Sequence, residues 1–182
     1  YFLLIYTISR KFTDIFICKL DAAGNFVWAK QFGGQTGGVG YAIAVDENSN
    51  VYSTGTIGGT VDFDPGPDVF NLTNSDPLQT EIYTSRLDAS GNFVWAKPMG
   101  PGQGSAIVAD NKGQVYSSGW HPLGYTPVIN KLDSMGNQIW TKELGGIHGK
   151  SIALDNSGYV YTTGSCFPGP NDFDPGPGVF NL

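Results

Sequence analysis

The chain is poor in charge, in cysteine, in histidine and in helix-forming sequence, and each shortage excludes something. Only 14% of the 182 residues are charged, and the balance is acidic: 10 Lys and Arg against 16 Asp and Glu, net −6. Without a basic face the chain has no electrostatic footprint for nucleic acid and none for an anionic membrane surface. An acidic chain is compatible with a calcium-containing medium without implying one. The two cysteines, Cys18 and Cys166, fit neither a disulfide framework nor a metal-ligand spacing. They are expected to be free thiols packed as small hydrophobes, with a disulfide between them as the alternative. His121 and His148 have no ligand spacing to each other or to cysteine. No segment holds an amphipathic 3.6-residue period, so long helices are not expected. The apolar start "YFLLIYTIS" is too short to span a bilayer. Arg10 and Lys11 follow it, the wrong order for a signal peptide. Residues 1–13 are read as an irregular start, with no membrane insertion expected.

What is abundant is turn and strand material: 26 Gly, 11 Pro and 13% aromatics, the composition of many short strands joined by tight connections. The strands repeat. "KLDAAGNFVW" at 19–28 returns as "RLDASGNFVW" at 86–95 and "KLDSMGNQIW" at 131–140. "IAVDENSNVYSTG" at 43–55 returns as "IVADNKGQVYSSG" at 107–119 and "IALDNSGYVYTTG" at 152–164. Spacing inside each unit is fixed and spacing between units drifts, as hairpins joined by loops require, because register tolerates no slip and loops tolerate insertion.

Each unit reads as a β-hairpin. Gly24, Gly91 and Gly136 supply a positive φ in one turn, Gly113 and Gly158 in the other, with Asn50 taking that role in the remaining copy. The aspartates that end the leading strands (Asp21, Asp88, Asp133, Asp46, Asp110 and Asp155) are expected to accept hydrogen bonds from turn amides rather than to bind metal. Strands with apolar residues on both faces, as in "IFICKL" and "YAIAV", suit sheets packed between two neighbours. Two hairpins per repeat, recurring at about 45 residues, predict an all-β propeller of four-stranded antiparallel blades.

With the "IAVD…VYSTG" hairpin inside and the "KLD…FVWAK" hairpin outside, the units fall into place. Residues 14–32 form an outer half-blade, 41–98 a blade with a long loop at 57–80, 105–143 a second blade, 150–165 an inner half-blade, and 166–182 a truncated loop. That is about three blade equivalents, where propellers close with four to eight. The expectation is a fragment of a larger propeller, its partners being other blades of the parent protein.

The long loop carries "VDFDPGPDVFNL" at 61–72, repeated as "NDFDPGPGVFNL" at 171–182. Asp62 and Asp64, and Asp172 and Asp174 in the second copy, sit two residues apart, which puts both carboxylates on one side of an extended segment. They are weak calcium candidates, since calcium takes six or more oxygens. The competing reading is a type II turn centred on Pro65 and Gly66, closed by Asp64, with Phe63 and Phe173 plugging the blade. The recurring Trp28, Trp95 and Trp140 are explained by an inter-blade core. Trp120, expected to be exposed beside His121 and Pro122, is the better sugar-stacking candidate. "GGQTGGVG" at 33–40 lacks the Lys-Ser/Thr and the helix of a phosphate loop.

"DAAGNFVWAKQFGG", "IAVDENSNVYSTG" and "VDFDPGP" together resemble the bacterial β-propeller repeat family, also called the seven-bladed propeller repeat or SBBP. The resemblance runs from Thr13 onward; residues 1–12 fit no part of the repeat. It implies a propeller fold in a large secreted or cell-surface protein, of a kind frequent in Bacteroidetes-type bacteria and carried there by type IX secretion. It transfers no catalytic residue and no cofactor. The expectation is therefore a non-enzymatic extracellular segment, a scaffold or a module binding protein or glycan. The alternatives are a quinoprotein-like propeller enzyme and a calcium-stabilised adhesin. The first is weakened because Ala23, Ser90 and Met135 stand where its repeats carry Thr.

Overall fold

The computed structural model describes residues 13–34, 36–74, 76–122, 126–146 and 148–182; the irregular start thus lies almost wholly outside them. The fold is all-β and antiparallel, as the repeats predict. Strands β1 (Ile15–Leu20) and β2 (Phe26–Phe32) pair as a two-stranded sheet. β3 (Gly38–Val45), β4 (Val51–Ile57), β7 (Glu81–Leu87) and β8 (Phe93–Pro101) form the first four-stranded blade in that order. The short β5 (Thr60–Asp62) and β6 (Asn71–Thr73) make a separate hairpin between β4 and β7. β9 (Gln103–Ala109), β10 (Val115–Trp120), β11 (Pro127–Leu132) and β12 (Gln138–Glu143) form the second blade, and β13 (His148–Leu154) pairs with β14 (Val160–Ser165).

Successive sheets stack through their inner strands. β3 and β4 pack against β9, and β9 and β10 pack against β13. Side chains from both faces of each central strand are therefore buried: β4, β7, β10 and β11 are enclosed almost throughout. Three apolar clusters lie between the sheets. The first gathers Ile15, Ile17 and Phe32 with Val51, Ile57, Tyr83 and Leu87. The second gathers Tyr52 and Trp95 with Ile107, Val115 and Leu132, and the third joins Tyr116 and Ile129 to Ile152.

The glycine that ends each "VYSTG" unit has a reason that spacing alone did not expose. Each inner hairpin carries a register shift at the same place: Gly40/Ala42 on β3, Gly104/Ala106 on β9 and Gly149/Ser151 on β13. A β-bulge drives one strand's backbone toward its partner. A Cβ on Gly55, Gly119 or Gly164 would lie 2.0, 2.5 or 1.9 Å from the carbonyl oxygen of Val39, Gln103 or His148. Only glycine fits there.

Candidate functional site

Every one of the six hairpin turns is closed by its aspartate. In the first, Asp21 Oδ1 accepts the amides of Ala23 and Asn25, at 2.9 and 2.8 Å, and its Oδ2 accepts Asn25 Nδ2 at 2.9 Å. The pattern recurs at Asp46, Asp88, Asp110, Asp133 and Asp155. The tyrosines two residues past the turn join it: Tyr52 donates to Asp46 and Tyr161 to Asp155, each at 3.0 Å. The side-chain and backbone amides of Asn25 hold Asp21 below the usual carboxylate range. Burial pushes Asp46 upward, but the side chain and amide of Asn50, the Tyr52 hydroxyl and the Asn48 amide outweigh it, so Asp46 is lowered too. Tyr52, buried against the next blade, is pushed up to about 12.

Two turn details differ from expectation. In the first inner hairpin the positive φ falls on Ser49 (62°), not on Asn50. Ser49 occupies the place of Gly113 and Gly158, three residues past the aspartate, and Asn50 instead donates its side chain to Asp46 at 2.8 Å. The second concerns the insertion. Gly66 has no positive φ, so Pro65-Gly66 is not a type II turn, which demands a left-handed residue at that point. The bend is an aspartate-capped turn: Gly66 N–H donates to Asp64 Oδ1 at 2.7 Å, and Asp62 Oδ1 accepts the amides of Asp64 and Phe70 at 3.0 and 2.8 Å. A Cβ on Gly66 would stand 2.9 Å from Asp64 Oδ1, so a larger residue there would push the capping carboxylate aside.

The insertion between β4 and β7 is thus ordered rather than loose. Gly33 and Asp62 exchange backbone hydrogen bonds, tying the insertion to the sheet before it. Phe63 is fully buried, its ring 5.0 Å from Phe32 and 4.8 Å from Tyr83. The glycine-rich 33–40 stretch is a crossing point: a Cβ on Gly34 would lie 2.5 Å from Thr60 O, and one on Gly38 would meet Ile15. The second copy repeats the design. Asp172 accepts Asp174 and Phe180 amides at 3.0 and 2.8 Å, Asp174 accepts Gly176 at 2.7 Å, and Gly145 donates to Asp172 O as Gly33 does to Asp62 O. The amides of Phe180 and Asp174 hold Asp172 below its ordinary range. Phe173 is half-buried and lines a cleft with Leu144 and Pro127.

The four candidate carboxylates therefore fall in two separate pairs. Asp62 and Asp64 line one open cleft with Gln31, and Asp172 and Asp174 cap the equivalent turn. All four already accept backbone amides at one carboxylate oxygen each. Among the described residues no group of three or more His, Cys, Asp or Glu side chains gathers where it could hold a metal ion. Trp120 is half-buried and packs edge-on against His148, with ring centroids 4.9 Å apart. Cys18 and Cys166 are both free but exposed, not packed inside as expected.

The blades lock to each other through backbone carbonyls that sequence reading missed. Arg86 Nη1 and Trp95 Nε1 both donate to Ser134 O, at 2.7 and 3.1 Å. One sheet earlier Lys19 Nζ donates to Ala89 O at 3.1 Å. The turn glycine of each following blade receives the tryptophan ring: a Cβ on Gly136 would meet Trp95 at 2.8 Å. The recurrence of Trp points to a core between blades; the glycine that the ring covers reads in sequence only as a turn residue of its own hairpin. Four-stranded blades stacked through their inner strands are the architecture of a β-propeller, and the comparison agrees.

Residues 27–61 match the β-propeller repeat model, SBBP. The match runs from the outer strand β2 through the inner pair of the next blade and into the insertion, so it covers the inter-sheet crossing itself. No curated protein matches the chain.

Proposed function

We propose that this propeller segment is a non-enzymatic scaffold that presents the β4–β7 insertion as a binding surface for protein or glycan, in a secreted or cell-surface setting. The observation that carries the reading is the build of that insertion. It is anchored at Phe63 and Gly33 and closed by Asp62 and Asp64, yet it leaves Val69 and Leu78 exposed to solvent. A rigid scaffold that projects an ordered loop with exposed apolar side chains is the usual arrangement of a recognition surface. The aspartates, by contrast, serve their own turns. The resemblance to secreted repeats supports the extracellular setting.

The test is a glycan array and a panel of extracellular matrix proteins, probed with the chain and with a Val69→Asp/Leu78→Asp variant. Both substituted side chains face solvent, so the variant is expected to keep its circular dichroism spectrum and lose the wild-type binding. Turnover of a glycan or peptide by the purified chain, abolished by one substitution, would overturn the proposal.

A further inference from the structure

One side chain of the insertion stands apart. Leu78 is 93% exposed, the most of any large apolar residue among those described. It holds the third position of a β-turn, Asp76-Pro77-Leu78-Gln79, closed by the Gln79 amide donating to Asp76 O at 3.1 Å. Pro77 fixes φ at the second position. Asp76 Oδ1 accepts the Leu78 amide at 2.9 Å and its Oδ2 accepts Gln79 Nε2 at 2.6 Å. Asn74, itself buried, accepts the Asp76 amide at 3.0 Å and donates Nδ2 to Gln79 O at 2.6 Å. The turn stands between described sheets, away from both ends of the stack. Asn74 N–H donates to Gly59 O, and Thr80 O accepts the amide of Gly102, just before β9.

An aliphatic side chain is thus held out on a fixed mount. A loop that must order itself on binding loses affinity to that ordering, and a turn already tied by these hydrogen bonds does not. The mount also narrows what can bind. A sugar is held by hydrogen bonds to its hydroxyls and by a flat apolar face, whereas Asn74, Asp76 and Gln79 direct their hydrogen bonds into the turn itself. The turn has no aromatic ring. A branched aliphatic group presented this way fits a pocket in a protein. The surroundings are of one sign: from Gly58 to Thr80 the insertion carries Asp62, Asp64, Asp68 and Asp76 and no Lys, Arg or His. A complementary partner is therefore basic around that pocket.

We propose that Leu78 is the anchor by which the insertion docks into an apolar pocket, rimmed by Lys and Arg, on a partner protein. The inference rests on the reading of the insertion as a recognition surface and narrows its ligand from protein or glycan to protein. The leucine fixes the residence of the complex and the aspartates steer the encounter, because a buried anchor governs dissociation and rim charges govern association.

The probes are the same panel of extracellular matrix proteins, ordered by net charge, and the same glycan array, read by biolayer interferometry on the immobilised chain. Binding is expected among the basic proteins of the panel and not on the array. Leu78→Ala, at a side chain that supports nothing within the fold, is expected to keep the circular dichroism spectrum and to weaken binding at least about tenfold, through faster dissociation. Val69→Ala is expected to have the smaller effect. Raising NaCl from about 50 to about 500 mM is expected to slow association and leave dissociation nearly unchanged. Protein binding that Leu78→Ala leaves within about twofold, a larger loss in Val69→Ala, indifference to salt, or a signal on glycans alone would each overturn the anchor and leave the recognition surface standing. No binding to any probe would overturn both.

Discussion

At the scale of single residues the fold rests on carboxylates that serve the backbone. A hydrogen bond to a charged acceptor contributes more than a neutral one, and its loss leaves turn amides unmatched. Asp46→Ala removes two amide bonds and the anchors of Asn50 and Tyr52, and is expected to cost about 1–2 kcal/mol in urea unfolding. The same groups set a pH dependence. Asp21, Asp46, Asp88, Asp133, Asp155 and Asp172 are all lowered from 3.8 by the hydrogen bonds they accept. A carboxylate whose folded value lies below its unfolded value contributes stability that is complete above the unfolded value and is lost as pH falls through the folded one. The urea midpoint is therefore expected to hold down to about pH 5 and fall steadily below about pH 4, with Asp46→Asn flattening the fall. Glu81, raised by burial, acts in the opposite sense and only partly offsets the six. At the alkaline end Tyr52, raised by burial to about 12, contributes stability that is present below pH 10 and lost toward pH 12; Tyr52→Phe is expected to remove that part of the loss.

At the scale of elements, hairpins were legible from the sequence because their chemistry is local. The spacing from aspartate to glycine fixes the turn, and the alternation of apolar residues fixes the strand. Features that depend on close approach between separate segments were not legible. Gly119, next to last in β10, looks like a strand terminator in sequence, yet it answers a bulge in β9 and a carbonyl 2.5 Å from where its Cβ would lie. Gly119→Ala is expected to destabilise the chain by about 3 kcal/mol, whereas alanine at an unconstrained strand glycine would be neutral or better. Pro65-Gly66 misled for the same reason: a dipeptide that favours a type II turn in isolation is overridden when two aspartates and Phe63 fix the path. Phe63→Ala leaves a cavity between Phe32 and Tyr83 and is expected to cost about 4 kcal/mol, with new protease cleavage in the insertion. If the turn stands on amides alone, Asp62→Ala lowers the melting temperature equally with and without a chelator. A calcium site would instead make wild type respond to the chelator and the variant not. Differential scanning fluorimetry on the two proteins in both buffers decides between them.

At the scale of the whole molecule, stability is a sum of blade and interface contributions, as in any stack of repeats whose neighbours touch only neighbours. The interface contribution is concentrated. Trp95 is buried, joins Tyr52 and Ile107 in one cluster, donates to Ser134 O and covers Gly136. It touches both blades at once, so its loss weakens their coupling more than the interior of either. Trp95→Phe retains the apolar contact and loses one hydrogen bond, and is expected to cost about 1 kcal/mol with a single sharp transition. Trp95→Ala removes the contact as well, at about 4 kcal/mol. Because the first apolar cluster stands entirely on the β1–β8 side of that contact and the third on the β9–β14 side, the two halves then hold different stabilities with little left to equalise them. Urea unfolding followed by circular dichroism is expected to broaden into two steps, with a lower apparent m for each. A single transition of undiminished m in Trp95→Ala would mean that the inner strands β3, β4 and β9 couple the blades by themselves.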